Sequence, residues 1–158
     1  MPTVLRHNPK LELNRVEYFG VMQADEFHDH AAFNFANQAW LNFDCLSVVH
    51  PDIDVSAMRP ADVDGVFDLN RGLFEPLKLM FMRRSGWICE SADGQALLNH
   101  WLSRRNGKRL PYAEERLFGT YEAAGEWLGL GADAIATLGA GQSFTEIARF
   151  GEAAAQAR

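Results

Sequence analysis

The pattern of apolar and polar residues in the first part of the chain predicts two strands, a helix and a third strand. Residues 11–22 are rich in β-branched, aromatic and aliphatic side chains, and Asn14 interrupts them, which predicts two short strands joined by a turn. Asp25 is a suitable N-cap for a helix that continues to about Asn42. The apolar positions of this helix span a wider arc than a surface helix needs. Residues 45–49 form a short apolar run that a proline ends, which predicts a buried strand.

The middle of the chain continues with alternating helices and strands. Apolar residues recur every three or four positions from Pro60 to the next proline, which predicts an amphipathic helix. Residues 77–82 are apolar at five of six positions, as expected for a central strand covered on both faces. Ser91 is a suitable N-cap for the next helix, and residues 116–118 have the composition of a short strand. Thr120 is a suitable N-cap for a further helix.

These elements follow one another in the order β-β-α-β-α-β-α-β-α. That order predicts an α/β domain with a mixed sheet of four to five strands packed with helices. The composition then changes, because the last thirty residues contain nine Ala and five Gly. A serine and a glutamate at capping-box spacing predict a helix from Phe144 towards Gln156. We therefore expect a domain over residues 11–130, followed by a C-terminal extension over residues 131–158 that forms an Ala/Gly-rich helical tail.

Composition and charge exclude several classes of protein. The chain has 158 residues, 47% of them apolar, and a formal net charge of −6. The size suits one domain with its own core, and the negative charge argues against binding to nucleic acid or to an anionic membrane surface. No apolar run approaches the roughly 20 residues that span a bilayer, and the start of the chain lacks a secretory pattern. Cys45 and Cys89 lie in apolar stretches that suit reduced thiols, so we expect a cytoplasmic protein.

Three stretches of the chain carry a recognisable family pattern. The first is the opening strand followed by residues 23–27 (QADEF), the second is residues 46–54, and the third is residues 116–128 (RLFGTYEAAGEWL). In these stretches the chain resembles the STAS-like, SpoIIAA-like group of small bacterial domains related to anti-sigma factor antagonists. The resemblance covers about residues 12–130. It implies a sheet backed by helices on one side and a non-enzymatic function exerted through protein–protein contact.

The same resemblance draws attention to the start of the second helix. In the regulatory branch of that group, a serine in an Asp-Ser-Ser-Gly-type segment is phosphorylated there to switch partner binding. Here the segment reads Asp62-Val63-Asp64-Gly65, so Asp64 takes the place of the phosphorylatable serine and carries a permanent charge. Ser56 is the nearest hydroxyl in the preceding loop. The resemblance therefore implies candidate partner-binding residues at Ser56, Asp62, Asp64 and Gly65, with the phosphorylatable serine absent.

Residues that commonly carry chemistry are scattered along the chain. His28 and His30 project about 200° apart on a helix, so they are poorly placed to share one metal ion. Cys89 lies near a predicted helix start but has no second cysteine at redox spacing. We expect no cofactor, no metal and no catalytic group. An enzyme hypothesis would require His50, Asp52 or Cys89 to meet in one cleft.

Two non-enzymatic functions remain as hypotheses. The first is a protein-interaction or regulatory module that binds another protein or a second copy of itself, because the first helix has a wide apolar arc and the tail is detached. The second is a carrier or sensor of a small apolar ligand, held between the first helix and the sheet near Phe27, Phe35 and Trp40. We expect neither function to involve nucleic acid or insertion into a membrane.

Overall fold

The computed structural model describes residues 3–77, 83–106 and 113–151. Within these ranges the strands are β1 (Thr3–Asn8), β2 (Leu13–Tyr18), β3 (Asp44–Val49), β4 (Arg83–Cys89), β5 (Ala113–Phe118) and β6 (Thr145–Phe150). The helices are α1 (Ala24–Ala36), α2 (Pro60–Phe74), α3 (Ala92–Asn106), α4 (Tyr121–Trp127) and α5 (Ala132–Leu138). Short 3-10 helices follow α1 at Gln38–Asn42 and α2 at Glu75–Leu77.

The described strands form one mixed sheet in the order β5-β4-β3-β2-β1-β6. Strands β2 to β5 run parallel to one another, because a helix returns the chain to the same end between each pair. Strand β1 is antiparallel to both of its neighbours, β2 and β6. The predicted α/β class with a mixed sheet is therefore confirmed, and the sheet has six strands instead of four to five.

Helices cover both faces of this sheet. Helices α1, α2 and α3 pack on the face that carries Tyr18, Cys45 and Val49, which we call the α1–α3 face. Helices α4 and α5 pack on the opposite face over Leu46 and Val48, which we call the α4–α5 face. The resemblance implied helices on one side only. That expectation is wrong, because α4 and α5 form a second layer.

The predicted helix starts are confirmed where they depend on local capping. The hydroxyl of Ser91 accepts a hydrogen bond from the N–H of Gly94 at 3.2 Å, and the hydroxyl of Thr120 accepts one from the N–H of Ala123 at 3.1 Å. Helix α2 begins at Pro60, as predicted. The first helix departs from the prediction, because Asp25 lies inside it and provides no cap.

The prediction for residues 11–22 is wrong in its details. Asn14 is not at a turn but lies buried within β2. Its side-chain amide donates to the carbonyl of Trp40 at 2.7 Å, and its oxygen lies 3.0 Å from Nδ1 of His7. These partners satisfy the asparagine inside the sheet. The second strand of the hairpin is therefore β2, and its first strand is β1, which the sequence pattern did not predict.

The C-terminal residues also differ from the prediction. The helix predicted from Phe144 towards Gln156 is wrong, because Thr145–Phe150 form β6, paired antiparallel with β1. The part of that prediction from residue 152 onwards lies outside the described residues. Phe144 is buried in the core of the α4–α5 face and Phe150 in that of the α1–α3 face, so the segment crosses an edge of the sheet.

The strand predicted over residues 77–82 cannot be compared with the structure in full. Residues 78–82 lie outside the described residues, and Leu77 ends a 3-10 helix. Strand β4 follows at Arg83–Cys89, a range for which the sequence pattern predicted no strand. Cys89 therefore lies at the end of a strand.

Candidate functional site

A cavity of about 160 Å³ lies between the α1–α3 face of the sheet and the three helices that cover it. Apolar side chains from both layers form most of its wall: Leu5, Val16, Val49 and Trp87 from the sheet, and Phe27, Ala31, Val63, Val66, Leu97, Leu98 and Trp101 from the helices. An apolar protein cavity of about 150 Å³ is large enough to bind benzene. The space is therefore sufficient for a small organic molecule.

The sheet leaves this space because small and polar residues occupy its floor. Sheet register places Asn14, Cys45, Ser85 and Glu115 side by side across β2, β3, β4 and β5, and all four line the cavity. Ser47 lies two residues beyond Cys45 on the same face. At Cys45, Ser47 and Ser85, leucine or isoleucine would fill volume that the short side chains leave open.

One part of the wall is charged. The Glu115 carboxylate pairs with Nε of Arg105 at 3.1 Å and accepts a hydrogen bond from the indole N–H of Trp101 at 2.8 Å. Arg83 also lines the cavity, two residues before Ser85 on the same face of β4. Within the part of the chain that the structure describes, the Arg83 side chain has no ion-pair or hydrogen-bonding partner, although its backbone pairs with Ala113 of β5. The cavity wall therefore contains two arginines and one carboxylate.

Burial keeps the other titratable groups of the cavity uncharged near neutral pH. Burial raises the pKa of the Tyr18 hydroxyl far above its usual range, which a hydrogen bond with Ser47 and the charge of Arg83 only partly offset. Burial likewise raises the pKa of the Cys45 thiol. For His30, burial lowers the pKa to about 4, and the positive charge of Arg83 acts in the same direction. These groups offer neutral donors and acceptors to a ligand.

The pKa of His30 leads to a prediction about stability at acid pH. Its imidazole ring packs against Phe150, with ring centroids 5.1 Å apart, and its burial together with the charge of Arg83 disfavours protonation in the folded state. Because its folded pKa lies below its unfolded value, the unfolded chain binds the extra proton first as the pH falls. We expect a loss of up to about 3 kcal/mol in unfolding free energy between pH 6.5 and pH 4.

The loss attributed to His30 can be measured by urea unfolding at several pH values. His30→Gln should remove most of the loss of unfolding free energy between pH 6.5 and pH 4. His28→Gln should keep this loss, because His28 is exposed on the same helix. An unchanged pH dependence in His30→Gln would show that other groups cause the loss.

Two of the candidate partner-binding residues have partners within the chain. The Asp62 carboxylate accepts a hydrogen bond from the N–H of Arg59 at 2.9 Å and pairs with its guanidinium, which stabilises the start of α2. Oδ1 of Asp64 lies 2.9 Å from both Nε2 of His100 and Nε of Arg104. Asp64 therefore connects α2 to α3.

The other two candidates lie at the surface. Ser56 is exposed in the loop before α2, where its N–H donates to the carboxylate of Asp54 at 2.9 Å. Gly65 is exposed, with open space where a Cβ would be. Neither residue lines the cavity. However, Val55 and Met58, on either side of Ser56 in the loop, do line it.

The structure does not bring His50, Asp52 and Cys89 together. Cys89 pairs in the sheet with Val49 on the α1–α3 face, and its thiol donates to the carbonyl of Ser91 at 3.2 Å. His50 follows Val49, and its Nε2 lies 3.6 Å from the Glu17 carboxylate. Asp52 is exposed in a turn. Burial raises the pKa of Cys89, which disfavours a reactive thiolate.

The ligand hypothesis placed a pocket between the first helix and the sheet, and the cavity lies there. Phe27 lines it, whereas Phe35 and Trp40 do not. Phe35 packs near Phe74, and Trp40 contacts the ring of His7 at 5.0 Å. Sequence reasoning missed the polar part of the wall. The available signal was the repeated occurrence of short polar side chains at alternating positions of apolar strands.

Three comparisons with known proteins were also made, and neither the family models nor the curated proteins nor the solved structures contained a match. The resemblance to STAS-like domains therefore stays a prediction from local sequence patterns. In the described ranges, no three His, Cys, Asp or Glu side chains are grouped closely enough to hold a metal ion. Nor is any helix of those ranges both long and apolar enough to cross a membrane.

Proposed function

We propose that the protein binds a small, largely apolar molecule in the cavity between the sheet and helices α1, α2 and α3. The observation that carries this proposal is the cavity itself, about 160 Å³ in the middle of the larger core. Protein interiors are packed as densely as organic crystals, and voids much larger than a water molecule are few. Side chains that line an unfilled space lose packing contacts on one side, so a function that requires the space is the simplest explanation.

The side chains that line the cavity can adapt to apolar molecules of different shapes. Met22 and Met58 both contribute to the wall. Methionine side chains are flexible and polarisable, so they adapt to irregular ligand surfaces. Aromatic rings of Phe27, Trp87 and Trp101 provide large contact areas around the same space.

Partner binding is a second candidate, and the position of α2 favours it. Val63 and Val66 of this helix line the cavity, whereas Asp62 and Gly65 lie at or near the surface of the same helix. A ligand that shifts α2 would therefore also shift the residues that the STAS-like resemblance associates with partner contact. In this proposal the protein is a ligand sensor that transmits occupancy to a partner.

Native mass spectrometry of the purified protein tests the proposed function, together with thermal unfolding in the presence of toluene, indole and phenylacetamide. We expect a co-purifying small molecule, or a rise in Tm of about 5 to 10 °C when a compound is present at a hundred times its Kd. If no molecule co-purifies and no compound of this size changes the Tm, the proposed function is wrong.

A pair of matched substitutions tests whether the space is empty and accessible to side chains. Val63→Phe should fill part of the cavity and raise the unfolding free energy by about 0.5 to 2 kcal/mol while weakening ligand binding. Val48→Phe makes the same change on the α4–α5 face, where Val48 is 0% exposed, and should cost about 1 to 3 kcal/mol by overpacking. Urea unfolding measures the change in unfolding free energy for both substitutions. Equal destabilisation by the two substitutions would contradict the presence of usable space beside Val63.

A further inference from the structure

We propose that the ligand of the cavity is a small organic acid whose carboxylate pairs with Arg83. This inference rests on the proposed function, and it adds the chemical class of the ligand. The apolar wall would enclose the hydrocarbon body of the acid, and the guanidinium of Arg83 would hold its charged end.

The balance of charge in the wall is the first argument. Glu115 is already engaged by Arg105 and by the indole N–H of Trp101. In the described ranges no carboxylate lies within ion-pair distance of Arg83. A partly buried cation without a counterion is costly, and a ligand carboxylate would compensate it.

The geometry of the Arg83 guanidinium and the number of unpaired cations in the wall favour a carboxylate over other anions. A guanidinium presents paired N–H donors that match the two oxygens of a carboxylate. Only one of the two arginines lacks an acidic partner in the described structure, so a single negative charge balances the wall. A phosphate dianion would meet this one cation together with the carboxylate of Glu115 and would be less well compensated.

Neutral donors near Arg83 complete the arrangement. Ser85 lies two residues further along β4 on the same face, and Cys45 pairs with it across the sheet. A hydroxyl group can donate to a carboxylate oxygen, so Ser85 would strengthen binding of an acid at Arg83 without changing the charge balance. Trp87 lies two residues beyond Ser85 on the same face, and its indole Nε1 is buried without a hydrogen-bonding partner in the described structure.

The volume limits the size of the acid. Because about 150 Å³ accommodates benzene, a body of about six to nine non-hydrogen atoms fits in this cavity, with its carboxylate against Arg83. Phenylacetate and 4-methylpentanoate are probes of this size, one aromatic and one branched. Their neutral counterparts, phenylacetamide and 4-methylpentanamide, have nearly the same shape and lack the charge.

Isothermal titration of these two acid–amide pairs tests the inference. We expect each acid to bind the unmodified protein at least about tenfold more tightly than its amide, because only the acid forms a charge-assisted pair. Arg83→Met should weaken binding of the acids at least about tenfold and change binding of the amides by less than about threefold. Arg116→Met is the matched control, because Arg116 is exposed and pairs with Glu114 outside the cavity. It should leave all four affinities unchanged.

The stability of the ligand-free protein separates a binding role of Arg83 from a structural one. Since Arg83→Met removes an uncompensated cation, it should raise the Tm of the ligand-free protein while it weakens binding of the acids. A structural role predicts the opposite change in Tm. A lowered Tm would therefore contradict the inference.

The outcomes distinguish this inference from the proposed function. If the amides bind the unmodified protein as tightly as the acids, the acid class is wrong and the proposed function stands. If neither acids nor neutral compounds bind and no molecule co-purifies, both are wrong. The comparison of acid with amide uses the unmodified protein, so the test does not depend on the folding of Arg83→Met.

Discussion

Replacement of Arg15 by methionine is expected to reduce the unfolding free energy by about 3 kcal/mol. Arg15 is only 2% exposed, which is rare for an arginine. Its Nε pairs with the Glu17 carboxylate at 2.9 Å. The two terminal nitrogens of the guanidinium donate to the carbonyls of Leu138 and Gly139 at the end of α5. One side chain therefore attaches α5 to the central strand β2.

The expected loss follows from the groups that Arg15 would leave behind. The carbonyls at the end of a helix have no partner within the helix, and methionine offers no donor to replace the guanidinium. Burial alone would raise the pKa of Glu17, but Arg15 and then Arg6 outweigh it and lower the pKa. Arg6 lies 2.7 Å from Glu17 in the unmodified protein, so the carboxylate would keep one of its cations after the substitution. This remaining pair limits the expected loss to about 3 kcal/mol.

Urea unfolding at neutral pH measures the effect of Arg15→Met. Arg116→Met serves as the control, because Arg116 and Glu114 form an exposed pair and such pairs contribute about 0 to 1 kcal/mol. Hydrogen exchange should also show a loss of protection in Ala132–Leu138. A change of less than about 1 kcal/mol in Arg15→Met would mean that α5 is held by its apolar contacts alone.

The pH dependence of the same variant provides a second check. Because the folded pKa of Glu17 is lowered, its stabilising effect is present above the unfolded pKa and is lost as the pH falls through the folded value. Removing Arg15 should bring the folded and unfolded pKa values closer together. The acid-dependent loss of stability should therefore be smaller in Arg15→Met than in the unmodified protein.

The elements that sequence reasoning predicted correctly are those whose signals are local. Pro60, Ser91 and Thr120 each lie at the first turn of their helix, where capping depends on a few neighbouring residues. The apolar run at residues 45–49 predicted β3 for the same reason. Strand β1 lacks such a signal, because Arg6 and His7 interrupt its apolar pattern. Their partners Glu17 and Asn14 come from β2, so the pairing of the hairpin satisfies them.

The candidate site depends on contacts that no local pattern contains. Its location near Phe27 followed from the apolar first helix, and this part could be predicted. The polar wall could not, because Tyr18, Arg83 and Glu115 come from three different strands. Only the register of the sheet places them around one space. Nothing in the local sequence distinguishes Arg83, which lines the cavity, from the neighbouring Arg84, which pairs with Asp44.

Deletion of residues 131–158 is expected to destabilise the protein more than any of these substitutions and to abolish the cooperative fold. The sequence pattern suggested a detached helical tail over this segment that could contribute to binding of a second copy of the chain. In the structure, Leu138 is 1% exposed and Phe144 is 5% exposed in the core of the α4–α5 face. Phe150 belongs to the other core, and β6 covers the edge of β1.

The magnitude of the deletion effect follows from these contacts. Removing one large buried side chain costs about 2 to 5 kcal/mol, and the deletion removes three together with a row of sheet hydrogen bonds. The sum is comparable to the whole stability of a typical domain, about 5 to 15 kcal/mol. The shortened chain should lose its near-UV circular dichroism and bind a hydrophobic dye, as expected when tertiary packing is lost.

Two controls show whether the fold loss comes from α5 and β6. Deletion of residues 152–158 keeps all of α5 and β6, so a loss of fold that occurs only with the longer deletion would come from residues 131–151. Leu138→Ala should cost about 3 kcal/mol, whereas Ile147→Ala should cost less than about 1 kcal/mol, because Ile147 is 36% exposed. A cooperative transition and an unchanged near-UV spectrum after deletion of residues 131–158 would show that the remaining strands and helices fold without this segment. In that case the association state of the shortened chain, measured by light scattering, would test the homodimer hypothesis directly, since a lower mass could not be attributed to unfolding.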